Sequence, residues 1–159
     1  MTEYALTPII WIDDDGEDRF PLELKRLREN RWDVSWALGV ERAVEKLAAQ
    51  AFRAVILDQM LPIGASPINR ANVWQGCLLL HWLRGMPFPK LAPELQEWKK
   101  LAGLSPLEEN RTAKMIVASA FFDAEVDRAI RAIEPNLISI AKPINAPNLI
   151  KALESLRVR

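Results

Sequence analysis

The sequence has little of what several classes of protein depend on. It contains one cysteine, Cys77, so a disulfide within the chain is excluded and nothing indicates an oxidising compartment. It contains one histidine, His81, which excludes a histidine-based metal site and a Ser-His catalytic triad. Its apolar runs fall short of the roughly 20 residues of a membrane helix. Residues 1–8 also lack the basic and apolar regions of a signal peptide.

A net charge is also absent. Lysine plus arginine and aspartate plus glutamate both number 21, so charge points neither to nucleic acid nor to a membrane surface. Half of the 159 residues are hydrophobic and 26% are charged, which is the composition of an ordinary globular domain. This length suits one domain with a substantial core. We therefore expect a cytoplasmic, single-domain protein over residues 1–159.

Five short apolar runs predict buried strands. Their near-continuous apolar character is typical of a parallel sheet that is covered on both faces. The second run is the weakest of the five. The runs comprise residues 8–12, 32–37, 53–58, 114–120 and 136–142.

Between these runs, apolar residues recur at helical spacing. The clearest case is Val126, Ala129, Ile130 and Ile133, with Asp123 as a plausible N-cap. Strands that alternate with helices at this spacing predict right-handed crossovers and a doubly wound α/β sheet with helices on both faces. The other four helices are predicted around residues 20–27, 40–48, 79–83 and 149–156.

Two stretches, 61–76 and 86–114, are longer than this plan requires. In the second, the spacing of Leu95, Trp98 and Leu101 predicts a short extra helix. In doubly wound sheets, ligands bind at the edge formed by the carboxyl ends of the strands. The loop 61–76 leads from a strand to a helix and should border that edge. The segment 86–114 should lie at the opposite edge, more as padding over the core than as a contact surface.

The sequence also contains six tryptophans. Trp11 and Trp36 lie in predicted strands and Trp82 lies on the apolar side of a predicted helix, so we expect all three in the core rather than stacked on a ligand. Trp74 differs because its loop borders the predicted ligand edge, where it is a candidate gate.

Polar side chains follow four of the predicted strands. Three aspartates, residues 13–15, follow the first, Asp58 follows the third, Ser119 ends the fourth and Lys142 ends the fifth. Each alone is explained as a cap or a turn residue. Carboxylates from two strands repel one another, however, unless a cation neutralises them, and hard oxygen ligands favour Mg²⁺. A lysine and a hydroxyl beside the metal could hold a phosphoryl group.

In these residues the sequence resembles the receiver domain of two-component response regulators, a CheY-like family. The resemblance covers all five strand–helix units. It implies a flavodoxin-like fold with strand order 2-1-3-4-5 and a role in phosphorelay signal transduction. The matching motifs are the paired acids Asp13 and Asp14, the acceptor position Asp58 followed by Met-Leu-Pro, the hydroxyl of Ser119 before Ala120, and Lys142 before Pro143.

The resemblance also implies a role for each matching residue. Asp58 would accept a phosphoryl group from the phosphohistidine of a histidine kinase or a phosphotransfer protein. Mg²⁺ would be bound by Asp14, Asp58 and the backbone carbonyl of Met60, with Asp13 acting through water.

On the far side of the acceptor, Lys142 would neutralise a phosphoryl oxygen, and its bond to Pro143 should be cis. Ser119 would move to bind another phosphoryl oxygen and so report the modification. The expected activity is limited to self-phosphorylation from a phosphodonor and autodephosphorylation.

The sequence departs from the family pattern at several positions. Ser139 stands where the family usually has a switch aromatic, which puts the usual two-part switch in doubt. Met60 and Phe121 are bulky where water would approach the phosphoryl group, so we predict a long-lived phosphorylated state. Asp15 has no clear family role and is interpreted as a turn or cap residue.

The sequence ends at Arg159, soon after the last predicted helix. We therefore expect a stand-alone receiver without an output domain, which signals by protein contact and binds neither nucleic acid nor membrane. The contact surface would comprise the helix after the fourth strand, the fifth strand and the last helix. The downstream target is not evident from the sequence.

Two other interpretations remain open. A degenerate receiver would bind partners without being phosphorylated, which the residue at Ser139 and the long loop 61–76 would suit. A phosphatase of the haloacid-dehalogenase type would use the Asp13-x-Asp15 pattern as its nucleophile motif. That enzyme needs further acids after a later strand, and it leaves Asp58 without a role.

Overall fold

The computed structural model describes residues 5–64, 70–89, 92–101, 103–120 and 123–157. In these residues, five parallel strands form one sheet in the order β2-β1-β3-β4-β5. The predicted doubly wound α/β fold and its strand order are therefore confirmed. The strands are β1 (Thr7–Ile12), β2 (Trp32–Ala37), β3 (Ala54–Leu57), β4 (Lys114–Ser119) and β5 (Ile138–Ala141).

Helices connect the strands, and local sequence explains where several of them begin. Pro21 occupies the first turn of α1, where its missing N–H is not needed. The predicted N-cap Asp123 accepts hydrogen bonds from the backbone N–H groups of Glu125 and Val126, both at 3.0 Å. The α-helices are α1 (Pro21–Glu29), α2 (Val40–Ala49), α3 (Gln75–Arg84), α4 (Ala92–Lys99), α5 (Ala124–Ile133) and α6 (Ala146–Arg157).

Three short 3₁₀ helices complete the secondary structure of the described residues: Glu17–Arg19, Arg70–Trp74 and Glu108–Thr112. Over the same part of the chain, each helix is too short or too polar to cross a membrane.

Two apolar layers cover the sheet, because successive side chains of a strand point to opposite faces. On one face, Ile10 and Leu57 pack with residues of α2, α3 and α5. On the other face, Ile9, Trp11 and Ile56 pack with residues of α1 and α6. The central strands β1 and β3 are therefore buried on both faces, as their continuous apolar runs predict.

Two of the three tryptophans expected in the core are buried there, and the third is partly buried. Trp11 is fully buried and Trp36 is 8% exposed. Both rings contact Phe20, with centroid distances of 4.8 Å from Trp11 and 5.6 Å from Trp36. Trp82 is partly buried against the other layer, and Trp74 packs against the same layer from its loop.

The segment 86–114 does not stay at the edge where the sequence analysis places it. Its helix α4 returns towards the start of α3, where the indole Nε1 of Trp98 donates a hydrogen bond of 2.9 Å to Oε1 of Gln75. Trp98 is 2% exposed and Gln75 is 1% exposed. The large apolar side chain of Trp98 finds its burial beside α3, and this draws α4 to the loop 61–76.

The end of the segment returns to the opposite edge. There the fully buried Asn110 accepts a hydrogen bond from the backbone N–H of Phe52 at 2.7 Å. Its side-chain amide donates to the carbonyl oxygens of Leu47 and Gln50, each at 2.7 Å. One buried asparagine thus replaces three main-chain partners in the irregular chain at this edge.

Candidate functional site

Strand register places the predicted site residues at one level. The ladder continues one residue past the strands, since the N–H of Asp58 donates to the carbonyl of Ile12 at 3.0 Å. At the other side of the sheet, the N–H of Lys142 donates to the carbonyl of Ser119 at 3.2 Å. Parallel strands end at the same edge, so residues from four of them converge there.

A single ammonium group lies among carboxylates from two strands. Nζ of Lys142 is 2.7 Å from Oδ2 of Asp13, 3.0 Å from Oδ2 of Asp15 and 3.0 Å from Oδ2 of Asp58. The side chains of Lys142, Asp13 and Asp58 are 11%, 0% and 7% exposed, so these charges interact with little screening by water. One positive charge faces three negative ones, which leaves the cluster short of positive charge.

Both oxygens of the Asp58 carboxylate are held. Oδ2 faces Lys142, and Oδ1 accepts hydrogen bonds from Oγ of Ser119 at 2.9 Å and from the N–H of Met60 at 3.3 Å. A carboxylate offers about four lone-pair sites, so these three donors fix its direction without using all of its acceptor capacity.

Three of the carboxylates could share a metal ion. Asp13, Asp14 and Asp58 each offer an oxygen, and these oxygens lie within 4.8 Å of one another. Asp13 and Asp58 are buried, whereas Asp14 is exposed to solvent. All three are hard oxygen donors, which suits a Mg²⁺ or Ca²⁺ ion. The residue set therefore fits the predicted metal, and the individual ligand roles stay predictions.

In addition to its contact with Lys142, Asp13 is held by β2 and by the turn that follows β1. Its backbone carbonyl accepts a hydrogen bond of 3.1 Å from the indole Nε1 of Trp36. Its Oδ1 accepts a bond of 3.0 Å from the N–H of Asp15. The rings of Trp36, Trp11 and Phe20 lie beneath the cluster, and Nζ of Lys142 is 5.9 Å from the centroid of the Phe20 ring.

Burial and like charges disturb the titration of the acids. Burial raises the pKa of Asp13 and of Asp58, although their hydrogen bonds with Lys142 act in the opposite direction. Burial and the charges of Asp13 and Asp15 raise the pKa of Asp14. Burial alone would lower the pKa of Lys142, but its hydrogen bond to Asp13 and the charges of Asp58 and Asp13 outweigh this and raise it. A further positive charge near the cluster would therefore stabilise the ionised forms of its carboxylates.

Sequence reasoning missed the contact of Asp15. Its carboxylate, 46% exposed, pairs with Lys142 and is more than a turn residue. A third consecutive acid after a strand was the available signal. The predicted cis bond between Lys142 and Pro143 is present. Phe121, predicted to flank the approach of water, lies outside the described residues.

The positions around the site differ in exposure. A cleft of about 400 Å³ adjoins Lys142 and is lined by Phe20 just before α1, by Glu23 of α1 and by Ile144 after β5. Ser139, in place of the expected aromatic, is exposed on β5 beside a groove of about 520 Å³ between β5 and α6. Cys77 is buried in the core, and burial raises its pKa to about 12, so it has no part in the site.

Comparison with known proteins finds similarity in solved structures. A CheY-like response regulator receiver domain protein from Methanospirillum hungatei is 18% identical, with a TM-score of 0.62 over 96% of this chain and 95% of the other. The chemotaxis response regulator CheY4 of Vibrio cholerae is 14% identical, with a TM-score of 0.63 over 96% and 99% of the two chains.

A response regulator from Burkholderia pseudomallei, solved with a phosphorylated aspartic acid, calcium ion and citrate, is also similar. It is 17% identical, with a TM-score of 0.59 over 92% of this chain and 66% of the other. No protein-family model matches the chain, and no curated protein matches it in sequence. At these identities, the comparisons establish the receiver fold.

Proposed function

We propose that this chain is a receiver domain of two-component signalling, which accepts a phosphoryl group on Asp58. The observation that carries the proposal is the environment of this carboxylate, which lies between Lys142 and Ser119 with Asp13 and Asp14 close enough to share a metal with it. The receiver fold of the similar structures supports the same conclusion.

The proposed reaction is a phosphoryl transfer between two side chains. An oxygen of Asp58 forms a bond to phosphorus while the bond from phosphorus to the imidazole nitrogen of the donor breaks. The leaving imidazole keeps the electron pair and takes up a proton, and the product is an acyl phosphate on Asp58. The donor is a phosphohistidine on a histidine kinase or a phosphotransfer protein.

The metal would be held by Asp13, Asp14 and Asp58, with the carbonyl of Met60 as a further ligand. When bound, Mg²⁺ supplies positive charge that offsets the charge on the phosphoryl oxygens. That the Burkholderia structure contains both a phosphorylated aspartic acid and a calcium ion supports a cation at such a site.

Two side chains of this protein would stabilise the product. Nζ of Lys142 lies 3.0 Å from Oδ2 of Asp58, next to the place that a phosphoryl group on this carboxylate would occupy. Oγ of Ser119 lies 2.9 Å from Oδ1, and we propose that it turns from the carboxylate to a phosphoryl oxygen once Asp58 is modified. The direction of this hydroxyl would then report the phosphorylation state.

The output would be a protein contact and not an enzymatic reaction. We propose α5, β5 and α6 as the contact surface, because the loop after Ser119 leads directly into α5 and Lys142 directly follows β5. A cytoplasmic location and the absence of a nucleic-acid or membrane partner belong to the same proposal.

Intact mass spectrometry tests the acceptor. The protein is incubated with Mg²⁺ and acetyl phosphate beside two variants, Asp58→Asn and Asp33→Asn, the second of which changes an exposed aspartate on β2. We expect one phosphoryl adduct in wild-type protein and in Asp33→Asn, and none in Asp58→Asn. An adduct that persists in Asp58→Asn would refute Asp58 as acceptor.

A second candidate is a phosphorylation-independent binding module. The exposed serine at position 139 favours it, because β5 then lacks an aromatic ring that could move with Ser119. Wild-type protein that gives no adduct, either with acetyl phosphate or with phosphorylated histidine kinases, would favour this module. Turnover of a generic phosphatase substrate would instead favour the phosphatase interpretation that uses Asp13 and Asp15.

A further inference from the structure

The helix α4 lies in a segment that the receiver plan does not require, yet a buried hydrogen bond ties it to the ligand edge. This is the 2.9 Å bond from Nε1 of Trp98 to Oε1 of Gln75, and both side chains are almost fully buried. A second aromatic ring, Phe88, contacts Trp98 with a centroid distance of 5.4 Å. The bond is therefore buried and is not a surface contact, although Phe88 itself is exposed.

Gln75 is the first residue of α3, and the next residue touches the loop of the phosphoacceptor. The N–H of Gly76 donates to the carbonyl of Gln59 at 2.9 Å. A Cβ at Gly76 would lie 2.6 Å from the carbonyl oxygen of Asp58 and 2.8 Å from Cα of Gln59, so α3 and this loop are in the closest contact that backbone allows. A shift of Gln75 is thus passed to the backbone of Asp58.

A second contact of α4 reaches the same loop further along. Oε2 of Glu97 lies 3.2 Å from the place where a Cβ of Gly64 would be, and the N–H of Gly64 also donates to Oε1 of Glu41 on α2. The chain that carries Asp58 and Met60 is therefore bounded on one side by α3 and followed by a turn that α4 contacts. Both contacts come from neighbouring residues of one helix.

We infer that Trp98 and Gln75 are positioning residues for the acceptor loop, and that α4 thereby sets the metal affinity and the reactivity of Asp58. The inference rests on the proposed function and goes further than it, since neither residue touches the reacting atoms. The hydrogen bond holds the start of α3 against Gln59, and this fixes the direction of the Asp58 carboxylate and of the Met60 carbonyl.

The chain offers a matched control. Nε1 of Trp82 donates a hydrogen bond of 3.1 Å to the carbonyl of Leu104, so Trp82 also ties α3 to the segment 86–114, but near the C-terminal end of α3 and not at its start beside Gln59. Trp98→Phe and Trp82→Phe each remove one indole N–H and keep an aromatic ring. If both bonds were purely structural, the two variants could differ in melting temperature but would keep the same Mg²⁺ dependence.

The experiment measures the phosphorylation rate with acetyl phosphate as a function of Mg²⁺ concentration, by intact mass, together with the melting temperature. For Trp98→Phe we expect the Mg²⁺ concentration at half-maximal rate to rise about 3- to 10-fold, which lies within the roughly 2- to 30-fold range of effects known for residues that couple sites in this way. For Trp82→Phe we expect a change below about twofold, although both variants melt at lower temperature.

Gln75→Leu removes the acceptor of the same bond and serves as a second variant. It should shift the Mg²⁺ dependence as Trp98→Phe does, and the double variant should show little further shift, because one interaction is lost only once. Equal Mg²⁺ dependence in Trp98→Phe, Gln75→Leu and Trp82→Phe would overturn the inference while leaving the proposed function intact. Wild-type protein without an adduct would instead refute the proposed function and this inference with it.

Discussion

Replacing Gly76 by alanine should disturb the acceptor loop through steric contact alone. The added Cβ would lie 2.6 Å from the carbonyl oxygen of Asp58, whereas ordinary contact begins at 3.4 Å, so the two backbones must separate by 3.4 − 2.6 = 0.8 Å. The nearest atoms are all backbone atoms, which cannot rotate away as a side chain would. Either α3 or the loop with Asp58 has to move.

The expected consequences differ for stability and for reactivity. Overpacking of this kind costs about 1–3 kcal/mol in the free energy of unfolding. The better helix propensity of alanine returns up to roughly 1 kcal/mol of this. Because a misplacement of about 1 Å can lower a rate by about 100-fold, we expect phosphorylation of Asp58 to slow by at least ~10-fold.

The assay compares Gly76→Ala with Gly103→Ala, since a Cβ at Gly103 meets nothing within 4 Å. Urea unfolding gives the stability of each variant, and the time course of the phosphoryl adduct with acetyl phosphate gives its rate. Wild-type stability and rate in Gly76→Ala would refute the close approach of α3 to the acceptor loop. A slow Gly103→Ala variant would show that the effect is not local.

Three further predictions concern pH, the far edge of the sheet and the lifetime of the product. Folding raises the pKa values of Asp13 and Asp58, so ionisation of these carboxyl groups lowers the free energy of unfolding. This loss of stability is absent below pH 3.8 and is complete above the raised pKa values of the folded protein. In urea unfolding without divalent cations, Asp58→Asn should therefore be more stable than wild type at pH 7, and the difference should shrink as pH falls towards 4. Asn110→Ala should lower the free energy of unfolding by about 3 kcal/mol, because it leaves the N–H of Phe52 without its partner, and it should leave the Mg²⁺ dependence of phosphorylation unchanged. Met60→Asn should speed the loss of the phosphoryl adduct, followed by mass, and an unchanged rate would contradict the role of Met60 in hindering water.

The strand and helix pattern could be predicted because it is encoded locally. Continuous apolar runs such as 8–12 and 114–120 identify strands covered on both faces, and the connections then bring the strand ends to one edge. The predicted run 136–142 is longer than β5 at both ends, although the N–H of Lys142 still donates to the carbonyl of Ser119 one residue past the strand. Convergence of acids, hydroxyl and lysine thus follows from sequence.

The contacts of Asp15 and the path of α4 could not be predicted in the same way. Whether Asp15 reaches Lys142 depends on the turn after β1 and on the rotamers of both side chains, which no periodicity encodes. The spacing of Leu95, Trp98 and Leu101 predicts a helix but not the layer on which it packs. Its place depends on the buried site beside Gln75 in which Trp98 packs, and only the assembled fold provides this site.

The hydrogen bond from Trp36 to the backbone of Asp13 has an optical consequence. An indole ring responds to nearby charge by a change in emission wavelength and intensity. The indole of Trp36 is hydrogen-bonded to the backbone carbonyl of Asp13, one of the acids of the cluster. Trp11, with its ring centroid 4.7 Å from that of Trp36, shares the same environment. We therefore predict that the proposed cation binding and phosphoryl transfer change the tryptophan fluorescence of the unlabelled protein, and that Trp36→Phe removes this change.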